Sequence, residues 1–373
     1  MNVEMTPSPA DEAIRVALAW SRMPGLSLRR FWKVHETAGG WRRLIGADPE
    51  PLVAAARSEA IARAATRPFD VDVSEEIAAA RRAGVAILNP FEGPYPPLLR
   101  EIPDPPLALY AAGDVGRLAL PAVGVVGARA ATRYGREVAA EIAARLSQAG
   151  VCVVSGMARG IDASAHSAAL GNAGGTIAVL GSGVDLPYPK ENTELWKRIG
   201  REGLLLSEYR PGTLPIPAFF PVRNRIIAGM SAGVVVVEAA GRSGSLITAR
   251  LANDFGRDVF AVPGSVRSES SQGCHALLRD GAILCRGAED VLTELFPSIG
   301  GLPAGRAVPA LDEDAARIVT AMAGEEAWDA DDLAEALRMP VGSLLALLFD
   351  LESRGVLRCL PGGLYAVRRE GGP

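Results

Sequence analysis

The stretch FFPVRNRIIAGMSAGVVVVEAAGRSGSLITA, residues 219–249, decides the fold. It joins a basic helix entrance (Arg223, Asn224, Arg225), a short apolar helix, the β-branched run 234–237 and a Gly/Ser turn at 241–245. An unbroken apolar β-branched run bounded by glycines predicts a strand buried on both faces, which belongs in a parallel sheet flanked by helices. Ligands collect at the carboxyl ends of such strands. The turn that follows leads into an apolar helix, so several backbone N–H groups can face an anion there.

Outward from this stretch, strand and helix patterns alternate, the signature of an α/β fold with a doubly wound sheet. Strands are predicted at 122–126, 151–155, 176–180, 204–207, 234–238 and 259–261, with helices at 134–148, 162–170, 193–202 and 245–255. Right-handed crossovers put every carboxyl end on one edge of the sheet. That rim carries Gly127-Ala128-Arg129, Ser155-Gly156, Gly181-Ser182-Gly183, Glu208 and the turn at 241–245.

The flanks differ in character. Residues 1–66 are expected to form a helical domain of the SAM or helix-hairpin-helix kind. In it, Pro24-Gly25-Leu26-Ser27 followed by Arg29-Arg30 fits either a phosphate-holding hairpin or an ordinary small bundle. The main domain is expected over 67–297. A helix at 74–83 and a short strand at 85–88 lead to a run, 89–106, whose seven prolines exclude long helices and predict extended chain over a larger body, with a strand at 107–110 after it. A Gly/Pro/Ala linker is placed at 298–309, and 310–373 reads helix, helix (331–338), helix (341–354) and a hairpin (356–367) around Pro361-Gly362-Gly363, the order of a winged helix.

Of 373 residues, 49% are hydrophobic, enough for two or three domains with unstapled cores. Cys152, Cys274, Cys285 and Cys359 lack the spacing of a zinc site or a disulfide frame and are expected to be buried small side chains in a reducing compartment. No segment reaches the ~18 unbroken apolar residues of a membrane span. An N-terminus with Glu4, Asp11 and Glu12 is no signal peptide, so the expected location is the cytoplasm. The net charge of −4 is unevenly spread: 121–230 balance at +4, whereas 308–352 hold two arginines against eleven carboxylates. The middle is the candidate anion-binding part, and the acidic tail disfavours duplex reading by the winged helix, whose helix at 341–354 has no basic face; Arg354 and Arg358 leave the wing slightly basic. Contact with protein or a regulatory role is expected of that domain.

Several residues could carry chemistry. Arg129, just after a strand and a glycine, either stands at the rim able to fork two phosphate oxygens or pairs with Glu137 or Asp162. Asp162 either caps its helix or acts chemically, and a structural Asp162–His166 pair is the favoured reading because no nucleophile is spaced to complete a triad. Lys190 follows Tyr188-Pro189 and adds a mobile ammonium near the same rim. Phe219 and Phe220 are either a core pair or rings beside a cation, the combination that single-stranded nucleic acid requires. Glu238 could serve as an acid or base but has no evident partner. There is no G-x-x-x-x-G-K-[ST] motif, and residues 124–129 do not follow G-x-G-x-x-G, which count against a P-loop ATPase and a dinucleotide site.

Together VVGAR (125–129), Tyr134-Gly135, SGMARGID (155–162) with Ala165-His166, 176–181, Tyr188-Pro189, LSEY (206–209), FPVRNRIIAGMS (220–231), VVEA, SGSLITA and FAVPGS (260–265) resemble the bacterial DNA-processing protein A family, DprA or Smf. The resemblance runs in order over residues 90–288, and the flanks resemble those of longer members. It implies an extended Rossmann fold, a homodimer with a contact near Leu277 and Ile283, and no cofactor, metal or catalytic residue. It further implies a mediator that binds incoming single-stranded DNA during natural transformation, displaces single-strand-binding protein and loads RecA. Carried over residue by residue, it assigns strand binding to Arg129, and to Phe220, Arg223 and Asn224 of F-P-x-R-N, with Lys190 a looser transfer; Gly127, Ala128, Ser155, Gly156 and Arg225 complete the candidate site. Ala128 stands where serine is usual, removing a possible hydroxyl contact, and His275 where asparagine is common. The rival on the same fold is the lysine decarboxylase-like phosphoribohydrolase group, but its P-G-G-x-G-T-x-x-E turn is here 239–245 with Thr248 in place of the glutamate.

Overall fold

The computed structural model describes residues 9–297, 313–322, 328–353, 357–360 and 364–367. The chain forms two compact units, Met1–Ile299 and Gly300–Pro373. The expected linker at 298–309, Arg354 and the turn Pro361-Gly362-Gly363 lie outside the described residues.

The first unit is built on a nine-stranded sheet. Its strands are β1 (Ala86–Leu88), β2 (Leu109–Gly113), β3 (Ala122–Val126), β4 (Cys152–Ser155), β5 (Thr176–Leu180), β6 (Leu204–Ser207), β7 (Gly233–Val236), β8 (Asp258–Ala261) and β9 (Ile283–Leu284). Their spatial order is β1-β2-β6-β5-β4-β3-β7-β8-β9. From β6 to β9 all neighbours run parallel, and β1 and β2 add an antiparallel edge. β3 to β7 are buried along their whole length, as their continuous apolar runs require. Alternate side chains feed two cores: Val154, Val179, Val234 and Val236 point to one face, Val123, Val125, Val153 and Val235 to the other. Helices Phe219–Met230 and Gly244–Asp254 cover the first face, helices Arg133–Gln148 and Ile161–Ala169 the second.

The chain lays β3, β4, β5 and β6 outward in one direction, then returns to place β7, β8 and β9 on the other side of β3. The order therefore reverses between β3 and β7, where the two outgoing loops part and open a crevice. Strand and helix positions in this body agree with the sequence reading to within about two residues. β9 was not predicted, since two residues give no readable period, and β2 runs on past Tyr110 to Gly113.

The N-terminal helices pack around Trp20, Phe31, Val34, Trp41 and Leu44. They are tied to the sheet domain by Trp32 Nε1, which donates to the Pro105 carbonyl at 3.0 Å, and by Arg22, which bonds Glu76 and Tyr110. The proline-rich run lies over this junction, with Phe91 inside the aromatic cluster and Tyr95 donating to the Pro106 carbonyl at 2.9 Å. Its one helix, Pro97–Arg100, is a single turn.

In the second unit, helices Glu313–Ala321, Ala330–Leu337 and Val341–Ser353 pack around Ile318, Leu333, Leu344, Leu348 and Leu351. The hairpin of β10 (Leu357–Leu360) and β11 (Leu364–Val367) completes the winged-helix order. Val341, Leu345 and Phe349, spaced by four, are exposed along the third helix. Cys152, Cys274 and Cys285 are buried and unpaired. No described helix is long and apolar enough to cross a membrane.

Candidate functional site

The crevice between β3 and β7 opens into a cavity of about 940 Å³. The loop after β3 gives it Gly127, Ala128 and Arg129; helix Phe219–Met230 gives Phe220, Arg223 and Asn224; the turn after β7 gives residues 240–245. Arg129 is exposed, and its guanidinium lies 5.6 Å from the centroid of the Phe220 ring. It forms no ion pair with a described residue, so the proposed pairing with Glu137 or Asp162 is not made: Glu137 pairs with Arg133, and Asp162 turns inward. Phe220 stacks on Tyr188, with centroids 5.4 Å apart and planes inclined by 24°. This close packing needs glycine at position 181, where a Cβ would come within 2.8 Å of the Phe220 ring. Phe219 stacks separately on Tyr209 at 4.0 Å, so the two phenylalanines are not a core pair.

Arg223 lines the same cavity but is only 5% exposed. Its Nη1 donates to the Gly156 carbonyl at 2.7 Å and to that of Val179, clamping the ends of β4 and β5 together. Gly156 permits this, since a Cβ there would meet the guanidinium at 2.5 Å. Burial pulls the Arg223 pKa down to about 10, opposed by the nearby Asp162 carboxylate and reinforced by Arg129; it stays cationic at neutral pH. Asn224 spans two elements, accepting from Arg223 Nε at 3.3 Å and donating to the Gly244 carbonyl at 3.4 Å.

Other candidates are placed elsewhere. Ser155 is fully buried and its hydroxyl donates to the Val125 carbonyl at 2.6 Å, holding β3 to β4. Arg225 points away from the cleft into a buried pair with Glu208, at 2.6 and 2.7 Å. Arginines two residues apart, at 223 and 225, cannot share a helix face, which lies beneath this difference. Lys190 is exposed and opens the short turn Lys190–Asn192, lining neither this cavity nor the smaller one beneath Tyr188. The expected Asp162–His166 pair is absent. Asp162 accepts from the Gly156 and Ala158 amides at 3.1 and 3.2 Å, and His166 Nδ1 bonds Thr176 Oγ1 at 2.7 Å. Glu238, the conceivable acid or base, is tied down by Thr132 N at 2.9 Å, Thr132 Oγ1 at 2.6 Å and Ser270 Oγ at 3.3 Å. His275 bonds the Gly264 carbonyl at 3.1 Å. No group of three or more possible metal ligands occurs among the described residues.

Among the cavity residues not assigned from sequence, Tyr188 and Arg242 bear on its chemistry. Tyr188 is the second ring of the stack, and its signal was its position in the loop after β5, on the same rim as Arg129. Arg242, exposed and without an ion pair to any described residue, stands in the turn after β7.

A doubly wound sheet whose switch-point cleft holds two unpaired arginines and a pair of stacked rings defines an α/β protein with an anion- and ring-binding face. Within that class, residues 86–296 match the family model of DNA recombination-mediator protein A, and residues 302–363 that of the DprA winged helix domain. The chain belongs to this DprA/Smf family of DNA-processing recombination mediators. It is 50% identical over 200 residues to the DNA processing protein DprA of Streptococcus pneumoniae, covering 54% of this chain and 71% of that one. The X-ray structure of the S. pneumoniae protein superposes with a TM-score of 0.64 at 38% identity, over 76% of this chain and 96% of that one. DNA processing protein A of Helicobacter pylori, whose structure was described for its single-stranded DNA binding mode, superposes with a TM-score of 0.53 at 31% identity, over 57% of this chain and 96% of that one.

Proposed function

We propose that the cleft between β3 and β7 binds single-stranded DNA and that the protein is a cytoplasmic mediator which protects an incoming strand, displaces single-strand-binding protein and loads RecA during natural transformation. The observation that carries the reading is the Arg129–Phe220–Tyr188 layer on one open cavity. A flat ring beside an unpaired cation suits a polymer whose every unit offers a base face and a phosphate, with little demand on sequence. The strand-binding mode described for the H. pylori relative supports the same reading. Gly127, Ala128 and Asn224 form the wall of this site, Arg223 is its buried cationic floor, and Lys190 is a peripheral charge.

A binding role without catalysis is supported by Glu238, whose carboxylate is consumed by Thr132 and Ser270, and by Thr248 at the place of the hydrolase glutamate. The homodimer is proposed to form at the β9 edge, near Leu277 and Ile283; β9 pairs only with β8 among the described residues, and Leu284 there is 47% exposed. The winged helix is proposed as a protein contact, in keeping with its acidic sequence and the exposed Val341, Leu345 and Phe349.

The test is a RecA filament assay on a strand precoated with single-strand-binding protein. The mediator should speed filament growth, and Arg129→Ala should abolish the gain. No acceleration would refute the loading step. Release of free base from a nucleoside monophosphate would instead favour the phosphoribohydrolase.

A further inference from the structure

The back of the cleft carries a second feature that the stacking layer does not use. Helix Gly244–Asp254 points its N-terminus into the cavity, and Ser243 caps it, with Ser243 Oγ 2.7 Å from Ser245 Oγ. The Gly244 amide has no acceptor among the described residues, and that of Ser245 has only the Ser243 hydroxyl at 3.4 Å. One turn further on, Thr248 is 1% exposed, lines the cavity and hydrogen-bonds to no described residue through its hydroxyl. That hydroxyl is not fully enclosed by protein, and the residue lines the cavity. A buried hydroxyl without a partner is uncommon, because leaving it unmade costs more than a hydrogen bond gains. Arg242 stands on the same turn with no ion pair to a described residue, and two carboxylates, Asp162 and Glu269, also line the cavity.

We propose that the turn 242–245 and Thr248 form a phosphate seat separate from Arg129, so that the cleft holds one nucleotide by two independent grips. Free amides at a helix N-terminus, a hydroxyl donor and a guanidinium are the donor set that a phosphate ester selects. The seat is adjacent to the stacking ring: Asn224 follows Phe220 by one helical turn, about 5–6 Å between Cβ atoms, and bonds the Gly244 carbonyl at 3.4 Å. A base lying on Phe220 thus has a phosphate of its own or the neighbouring nucleotide within reach of Gly244. The inference rests on the strand-binding reading for its biological ligand. Its chemistry, a phosphate mono- or diester, is shared by a strand backbone and by a free anion.

The experiment is an amide-resolved NMR titration of the full chain with inorganic phosphate and, separately, with a short oligothymidylate, on the wild type, Thr248→Val, Arg242→Ala and Arg129→Ala. Inorganic phosphate should shift the amides of Gly244, Ser245 and Thr248, and Thr248→Val and Arg242→Ala should each weaken it at least five-fold while Arg129→Ala leaves it unchanged. Arg242 is exposed, so its variant keeps the test sound if Thr248→Val disturbs folding. If phosphate shifts only Gly127 to Arg129, or shifts nothing, the separate seat is refuted and strand binding stands. If phosphate behaves as described but the oligonucleotide does not bind, the seat is upheld as a small-anion site and the strand-binding reading fails.

Discussion

The guanidinium of Arg129 lies over the ring of Phe220, 5.6 Å from its centroid, although 90 residues separate them in the chain. The reversal of strand order brings them together: Arg129 leaves β3 on one side of the crevice, and helix Phe219–Met230 precedes β7 on the other. Neither residue alone distinguishes a strand from any other anion; the pair matches a base and its phosphate.

Removing each member should have a different signature. Phe220→Ala should weaken single-strand binding about 5- to 150-fold, the ~1–3 kcal/mol of one stacked base, with little change in salt dependence. Arg129→Ala should lower the slope of log affinity against log salt by about 0.7, one phosphate contact on a single strand. Fluorescence anisotropy across a salt series separates the two.

Gly181→Ala should damage the site without touching a ligand. The new methyl would stand 2.8 Å from Phe220 and push the ring off Tyr188. Strand affinity should fall at least five-fold while the far-ultraviolet circular dichroism is unchanged; unaltered affinity would mean that ring placement does not matter.

Arg225 is a different case, since it is buried and its partner Glu208 is only 20% exposed at the side chain. Arg225→Ala leaves a carboxylate without compensation and should cost about 3–5 kcal/mol of stability, read by urea unfolding. Strand affinity per folded molecule should stay within two-fold, which would separate Arg225 from the binding residues with which its sequence position groups it.

His166 should make stability depend on pH. Thr176 Oγ1 gives its one proton to the Val153 carbonyl at 2.7 Å, so it must accept from His166 Nδ1–H, leaving Nε2 bare and unpartnered. Burial, together with the nearby Arg223 charge, pulls the His166 pKa down to about 3. The unfolded chain then takes up a proton near pH 6.5 that the native state refuses. Stability should therefore be full above that pH and fall through the window down to about 3, by about 1.4 kcal/mol per pH unit for this group. Glu208 and Asp162, whose pKa values burial raises, act in the opposite sense, so the comparison is with His166→Gln, whose profile should be flatter by that slope. Equal slopes would contradict the assignment.

The sheet and its rim were legible because the five buried strands β3 to β7 each show as a short apolar run, β-branched in all but the leucine run of β6. The wall of the cleft was legible for the same reason: whatever follows a parallel strand arrives at one edge. What a linear pattern does not carry is the direction a side chain takes after it arrives. Arg223 and Arg225 look equivalent on the page, yet one clamps two carbonyls beneath the cavity and the other closes a buried ion pair behind it. Ser155 stands in sequence on the rim of the candidate site, but its hydroxyl is turned to the Val125 carbonyl. The pairing of Asp162 with His166 failed because backbone amides at Gly156 and Ala158 reach the carboxylate first. Tyr188 needed three dimensions, since its partner ring lies 32 residues away.

The central claim is tested most directly by titrating labelled single-stranded and duplex DNA of one sequence with the wild type and with Arg129→Ala, at low and at high salt. The single strand should bind more tightly, affinity should fall steeply with salt, and the variant should bind more weakly with a shallower salt dependence. Equal affinity for duplex, or an unchanged titration after loss of Arg129, would contradict it.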